Sequence, residues 1–176
     1  MRRVRYQVAC SVDGFIAGPN DEFDWITPEP AFDFDALYAQ FDTLLMGRRN
    51  YEIVRTMGED FRGKQVLVAS RTLRPEDHPD VEIVSEGLEA RIRQLRSESG
   101  RDIWLYGGGE LFAKLLEWNL VDTVEPAFIP VLLGEGVPLL PSPAVRRRLT
   151  LARHRVYPSG LTVLEYEVQN AGRDDE

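Results

Sequence analysis

The stretch IWLYGGGELFAKLL, residues 103–116, decides the fold. A run with the composition of a buried strand enters Gly107, Gly108 and Gly109, and apolar residues at 111, 112, 115 and 116 then follow the spacing of a helix. Three glycines strip every β-carbon from the turn, so a ligand can approach the backbone closely. The free N–H groups of the first helical turn add a partial positive charge suited to a diphosphate. The pattern is neither G-x-G-x-x-G nor a P-loop, because no Gly-Lys-Ser/Thr follows. The plain alternative is a tight strand-to-helix turn with no ligand.

Working outward, the same arrangement recurs. Leu44 to Glu52 (LLMGRRNYE) is an apolar strand, then Gly47, then arginines in the opening turn of a helix. Cations are favoured at helix C-termini, so Arg48 and Arg49 beside the positive end of a dipole need an anion: a ligand phosphate, or local Asp and Glu partners. QVLVA (65–69) leads in the same way to Ser70, Arg71 and Thr72. Further strands are predicted at Val4–Ser11, Val81–Val84 and Thr123–Val131, and helices over Phe32–Gln40, around Leu88, Ile92 and Leu95, and over Glu110–Trp118. Repeated β-α-β order implies a mostly parallel sheet with helices on both faces and a crevice at the carboxyl ends of its strands. Leu149–Tyr157 and Leu161–Val168 alternate apolar and polar residues around Pro158-Ser159-Gly160, the signature of an antiparallel hairpin. The expected class is α/β, a mixed sheet ending in that hairpin.

Asp13-Gly14 opens a segment with Gly18, Pro19, Asn20, Pro28 and Pro30 that also carries Phe15, Ile16, Phe23, Trp25 and Ile26. Loops beyond about 12 to 15 residues are usually functional or disordered, and disorder does not account for these aromatics. The segment is read as an ordered loop covering a site.

The 176 residues, 43% of them apolar, fit one domain over residues 1–170, with a polar acidic tail at 171–176. Cys10 is the single cysteine, which excludes an internal disulfide and a Cys-rich metal scaffold. With no apolar run near 18 residues and no secretory leader pattern, the expectation is a cytoplasmic protein without membrane insertion. No metal site is expected, and His78 and His154 fall outside every motif. The net charge of −8 argues against nucleic acid as a partner. Lys64 and Lys114 are the only lysines among 21 basic residues, and arginine is the cation suited to forked phosphate recognition. An acidic protein can therefore still hold a local positive pocket.

In order and spacing, SVDGFIAGPNDEFDW, FDTLLMGRRNYE, VLVASRTL, IWLYGGGELFAKLL and LVDTVEPAFIPVLLGEGVPLLP resemble the dihydrofolate-reductase-like fold, a three-layer sandwich. They most resemble stand-alone relatives of the reductase domain at the C-terminus of the bifunctional riboflavin-biosynthesis deaminase-reductase (RibD). The resemblance spans residues 4–168 and implies a homodimer-prone reductase that uses NADPH to reduce a small-molecule substrate. Carried over, it puts the backbone of Ala9 and Cys10 and the side chain of Ile16 beside the nicotinamide, with Gly18 and Trp25 on the covering loop. Gly47, Arg48, Arg49 and Asn50 would meet the cofactor phosphates, and Ser70 with Arg71 the adenosine end, where a 2′-phosphate marks NADPH. Tyr106, Gly107, Gly108, Gly109, Glu110, Leu111 and Phe112 would wrap the diphosphate and one nicotinamide face. No zinc-deaminase signature is present.

Dihydrofolate reductases place a carboxylate at the start of the first helix; here that register falls near Pro30 or Ala31, with Asp33 and Asp35 close by. Asp33, Asp35 and Asp13 are the candidate catalytic groups. Capping accounts equally for the first two, and a β-turn with Gly14 for the third. The expected substrate site lies between the Asp13–Trp25 loop and a helix face bearing Phe34 and Tyr38. The leading expectation is an NADPH-dependent reductase acting on a conjugated heterocycle or carbonyl. The alternative is an NADP(H)-binding sensor or regulatory dimer without catalysis.

Overall fold

The computed structural model describes residues 1–58 and 60–169; the tail expected at 171–176 lies outside them. In chain order the elements are β1 (Val4–Ser11), β2 (Phe15–Ala17), α1 (Phe34–Tyr38), β3 (Phe41–Gly47), α2 (Arg48–Thr56), β4 (Gln65–Ala69) and β5 (Glu82–Val84). Then follow α3 (Leu88–Ser97), β6 (Asp102–Gly107), α4 (Gly109–Glu117), β7 (Thr123–Ile129), β8 (Val137–Pro138), β9 (Arg148–Val156) and β10 (Thr162–Gln169). One sheet has the order β5-β4-β3-β6-β1-β7-β10-β9, and β2 pairs separately with β8. From β5 to β7 every pairing is parallel, whereas β10 runs antiparallel to β7 and β9 antiparallel to β10. This is the mixed α/β sheet with a C-terminal hairpin that the strand-helix alternation implied.

Both faces of the parallel part are covered, which is why its strands read as unbroken apolar runs. On one face Leu45, Leu67, Ile103 and Leu105 pack with Ile92 and Leu95 of α3 and Leu115 of α4, all with no solvent exposure. On the other, Leu44, Met46, Val66, Val68 and Trp104 pack with Tyr38 of α1 and Tyr51 of α2. Each such large side chain contributes about 1.5–3 kcal/mol by leaving water.

Two elements are shorter than their periodicity implied. Asp33 caps α1 by accepting from Ala36 N (2.8 Å), so the helix starts at Phe34, while Phe32 leaves it to pack near Ala127, Ile129, Tyr157 and Leu161. Strand β7 stops at Ile129 because Pro130 has no N–H for the ladder and Val131 N turns back onto Ile129 O (2.7 Å).

Strand β1 sits between β6 and β7, the fifth of the six parallel strands counted from the β5 edge. Its Arg5 forks onto Glu125 of β7 (Nε–Oε1 2.7 Å, Nη2–Oε2 2.8 Å) and donates to Gln40 Oε1 (2.7 Å), with Thr123 Oγ1 also donating to Glu125 (2.6 Å). A buried ion pair survives when its remaining lone pairs and protons are engaged in this way. At the far edge β9 is exposed along its whole length, including Leu149, Leu151 and Val156. Among the described residues no helix is long and apolar enough to cross a membrane.

Candidate functional site

A cleft of about 1200 Å³ lies at the carboxyl ends of β3, β6, β1 and β7, walled by the segment between β2 and α1, by β8 and by Leu161. It exceeds the roughly 300–1,000 Å³ span of most single-ligand pockets.

One end is built from backbone. Helices α2 and α4 begin at Gly47 and Gly108, and neither N-cap supplies a side-chain hydrogen bond to the first-turn amides. A β-carbon on Gly47 or Gly108 would meet nothing within 4 Å, so both helix ends front open space, and both line the same cleft. The triplet's other two glycines act differently. Gly107 has φ +128°, and a β-carbon there would come 2.9 Å from Asn50 Nδ2, which donates to Tyr106 O (3.0 Å). At Gly109 a β-carbon would come 2.8 Å from Pro138 O and 3.0 Å from Pro141 Cδ, so its bareness seats the segment around β8 on the start of α4.

The cleft's cations, Arg48, Arg49 and Lys114, all stand on these two helices. Each has a local carboxylate: Glu52 at 3.6 Å from Arg48, Asp21 at 2.7 Å from Arg49 Nε, and Glu117 at 2.7 Å from Lys114. These are exposed pairs, worth about 0–1 kcal/mol, which a polyanionic ligand would outcompete. The local partners weighed for Arg48 and Arg49 are therefore present, and the guanidinium groups still face the cleft.

The other end is built from side chains. Ala9 and Ala127 pair across β1 and β7, leaving a flat floor. Around it lie Ile16, Phe32, Phe34, Leu37, Ile129 and Leu161, with the Trp104 ring 6.1 Å from that of Phe34. Gln7 lines this end, and its carbonyl accepts from Trp104 Nε1 (2.9 Å).

Of the residues expected at a site, Ala9, Ile16, Phe34, Gly47, Arg48, Arg49, Asn50 and Tyr106–Leu111 line the cleft. The three candidate acids do not. Asp13 is a loop clamp: its carboxylate accepts from Ser11 Oγ (2.6 Å), Leu133 N (3.1 Å) and Gly134 N (2.7 Å), and these bonds, Ser11's foremost, hold it below the ordinary carboxylate range. Asp33 is the α1 cap, and Asp35 points to solvent, paired with Arg62 (2.6 Å). Among the other substrate candidates, Tyr38 is turned into the core with its hydroxyl donating to Phe61 O (3.0 Å), and Trp25 packs near Ala127, Ile129 and Tyr157 while donating to Glu22 O (3.1 Å).

Gly18 lies outside the lining, in the turn closed by Gly18 N to Glu22 O (2.8 Å). Cys10 is fully buried, its thiol donating to Ser11 O (3.3 Å) and pushed up to about 11 by burial and then by the Asp13 charge. Phe112 faces the core, stacked on Tyr6 at 4.0 Å. Ser70 Oγ is committed to Thr72 N (3.2 Å) and Leu73 N (3.0 Å), and Arg71 is exposed beyond the cleft with no partner among the described residues.

Gln7, Trp104, Lys114, Pro138 and Leu161 line the cleft without having been singled out. The one local signal was Gln7, a lone amide in an otherwise largely apolar strand. Trp104 and Lys114 lie within the 103–116 stretch itself, while Pro138 and Leu161 join from segments distant in sequence.

Comparison with known proteins places this geometry. Residues 2–163 match the family model described as the RibD C-terminal domain. The chain is 30% identical to the uncharacterised protein YyaP of Bacillus subtilis (strain 168), over 94% of each chain. Among solved structures it is similar to a putative riboflavin biosynthesis protein from Shewanella sp. PV-4, with TM-score 0.82 and 26% identity over 96% of this chain and 99% of that one. It also shares its fold with the Thermotoga maritima diaminohydroxyphosphoribosylaminopyrimidine deaminase/5-amino-6-(5-phosphoribosylamino)uracil reductase. There the TM-score is 0.72 at 17% identity, over 96% of this chain and 57% of the bifunctional one. The uncapped glycine turns, the mixed sheet and the family match agree, and the chain belongs to the RibD C-terminal domain family of reductases, with its dihydrofolate-reductase-like fold.

Proposed function

We propose that the protein is an NADPH-dependent reductase that delivers hydride to a small conjugated heterocyclic or carbonyl substrate. The observation that carries this reading is the pair of uncapped helix N-termini, α2 at Gly47 and α4 at Gly108, opening with three cations onto one cleft. Two such ends offer unpaired N–H donors and positive dipole charge to a diphosphate, and the open space before both glycines fits a cofactor backbone pressed against them. When bound, the dihydronicotinamide supplies the hydride. The protein binds and orients: Gly47 to Asn50 and Gly107 to Leu111 hold phosphates, the floor at Ala9 with Ile16 flanks a flat ring, and the β2–α1 segment excludes water. Arg71, exposed and unpaired at the end of β4, is the cation available to a 2′-phosphate.

The same reading makes the protein a cytoplasmic homodimer. Its support is the bare β9 edge, where Leu149, Leu151 and Val156 lie exposed beside unpaired ladder groups.

Titration with NADPH and NADH tests the cofactor. Clear preference for NADPH is expected, reduced about tenfold or more (about 1.4 kcal/mol) by Arg71→Ala or Arg48→Ala; equal affinity for the two cofactors overturns it. A second reading, an NADP(H) sensor without turnover, draws on the absence of Asp13, Asp33 and Asp35 from the cleft lining. NADPH oxidation with dihydropterin, aminopyrimidine or simple carbonyl substrates excludes that second reading.

A further inference from the structure

We propose that Gln7 selects the substrate, and that this substrate is an uncharged flat ring presenting adjacent N–H and C=O groups, without a phosphate. The proposal rests on the reductase reading and adds the substrate class to it.

Gln7 is 8% exposed, in the middle of β1, and lines the cleft. Its side-chain amide makes no hydrogen bond to any described residue, while its backbone sits in the β1–β7 ladder opposite Glu125 and its carbonyl also accepts from Trp104 Nε1. What accessible surface the residue keeps lies on the cleft, so the amide is held without a protein partner where an entering ligand must replace the water on it, and a ligand that cannot do so loses about 1–3 kcal/mol. A primary amide carries one acceptor and two donors, and a lactam edge satisfies one of each in a two-bond pair. The neighbouring strand residue on the same face, Arg5, is already committed to Glu125 and Gln40 and offers no competing partner.

The surroundings set the ring and its charge. Trp104, Phe34 and Leu37 form an aromatic and apolar wall beside Gln7, and Ala9 leaves the floor flat. Among the described residues that line the cleft, no cation stands at this end. The charge there among the described lining residues is Glu29, whose carboxylate accepts from Ser159 N (3.1 Å) and Ala31 N (2.9 Å) and is held below its ordinary range by those bonds. A substrate phosphate would meet a carboxylate and nothing positive, whereas an uncharged ring loses nothing there. That separates this chain's substrate from the phosphoribosylated pyrimidine named for the Thermotoga protein.

Calorimetric titration of the full chain, with and without saturating NADPH, tests the assignment. The probes are 5,6-diaminouracil, its 1,3-dimethyl derivative in which the ring N–H groups are blocked, and the pair uridine and uridine 5′-monophosphate. Diaminouracil is expected to bind at least about tenfold more tightly than the dimethyl compound. Gln7→Leu abolishes that difference and leaves NADPH affinity unchanged, which also shows the variant is folded; uridine binds at least as tightly as its monophosphate. Unchanged discrimination in Gln7→Leu, tighter binding of the monophosphate, or no binding of any uracil overturns the proposal. Gln7-dependent uracil binding without NADPH binding leaves this assignment standing and overturns the cofactor reading alone.

Discussion

The end of the cleft bounded by α2 and α4 is formed by two uncapped helix N-termini and the cations those helices carry, whereas the end bounded by α1, Trp104 and Leu161 is formed by side chains from widely separated segments. The first kind of site exists as soon as a strand-glycine-helix unit forms, because the donors belong to the helix itself. The second exists only once packing has gathered its parts. One scaffold can therefore keep a backbone-built end of the cleft while its side-chain-built end diverges, and fold likeness carries over to the former better than to the latter.

The contrast can be broken first under the side-chain end. Arg5→Met removes the only basic partner that buried Glu125 has among the described residues, and is expected to cost about 3–5 kcal/mol. That is a fall in Tm of roughly 6–20 °C, followed by circular dichroism. Replacing both residues by apolar ones recovers much of the loss, and a fall of only a degree or two for Arg5→Met would show that the pair does not support the floor.

Within the glycine triplet, neighbouring substitutions should separate fold from ligand. Gly109→Ala forces a β-carbon against Pro138 O and Pro141 and is expected to destabilise by about 1–3 kcal/mol. Gly108→Ala meets open space, so thermal unfolding stays near that of the parent while NADPH affinity falls about tenfold (about 1.4 kcal/mol). Equal effects of the two on Tm would end the claim that Gly108 is bare for a ligand's sake.

The smallest effect concerns Asp13. Its folded carboxyl titrates below the unfolded value of about 3.9, so it contributes stability above that pH and loses it as pH falls through the lower folded value. Asp13→Asn should lower Tm slightly at neutral pH and flatten its decline below about pH 4. An unaltered acid limb would mean the clamp on Leu133 and Gly134 carries no net stability.

Much of this was legible in the residues. The buried runs at 43–46, 65–69 and 103–106, each followed by glycine or a short polar turn, are local signals, and so were the order of the parallel units and the hairpin at 158–160. The glycine-opened end of the cleft was legible for the same reason. The acids were misjudged as candidates because position near a helix start or turn does not reveal where a carboxylate points: Asp33 turns back on Ala36 N, and Asp13 reaches residues 120 positions away. Tyr38 and Phe34 are four apart and both lie on the helix, yet one enters the core and the other the cleft.

The sequence by itself determined the β-α-β order, the parallel sheet and the glycine-opened helix ends, since these follow from periodicity and backbone freedom over a few residues. Only the tertiary structure decided that Gln7 stands unpaired on the cleft floor, that Glu29 is tied down by Ser159, and that Leu161 closes the ring site. Those facts depend on which segments meet across the sheet, and contacts between residues more than a hundred positions apart leave no mark on local pattern.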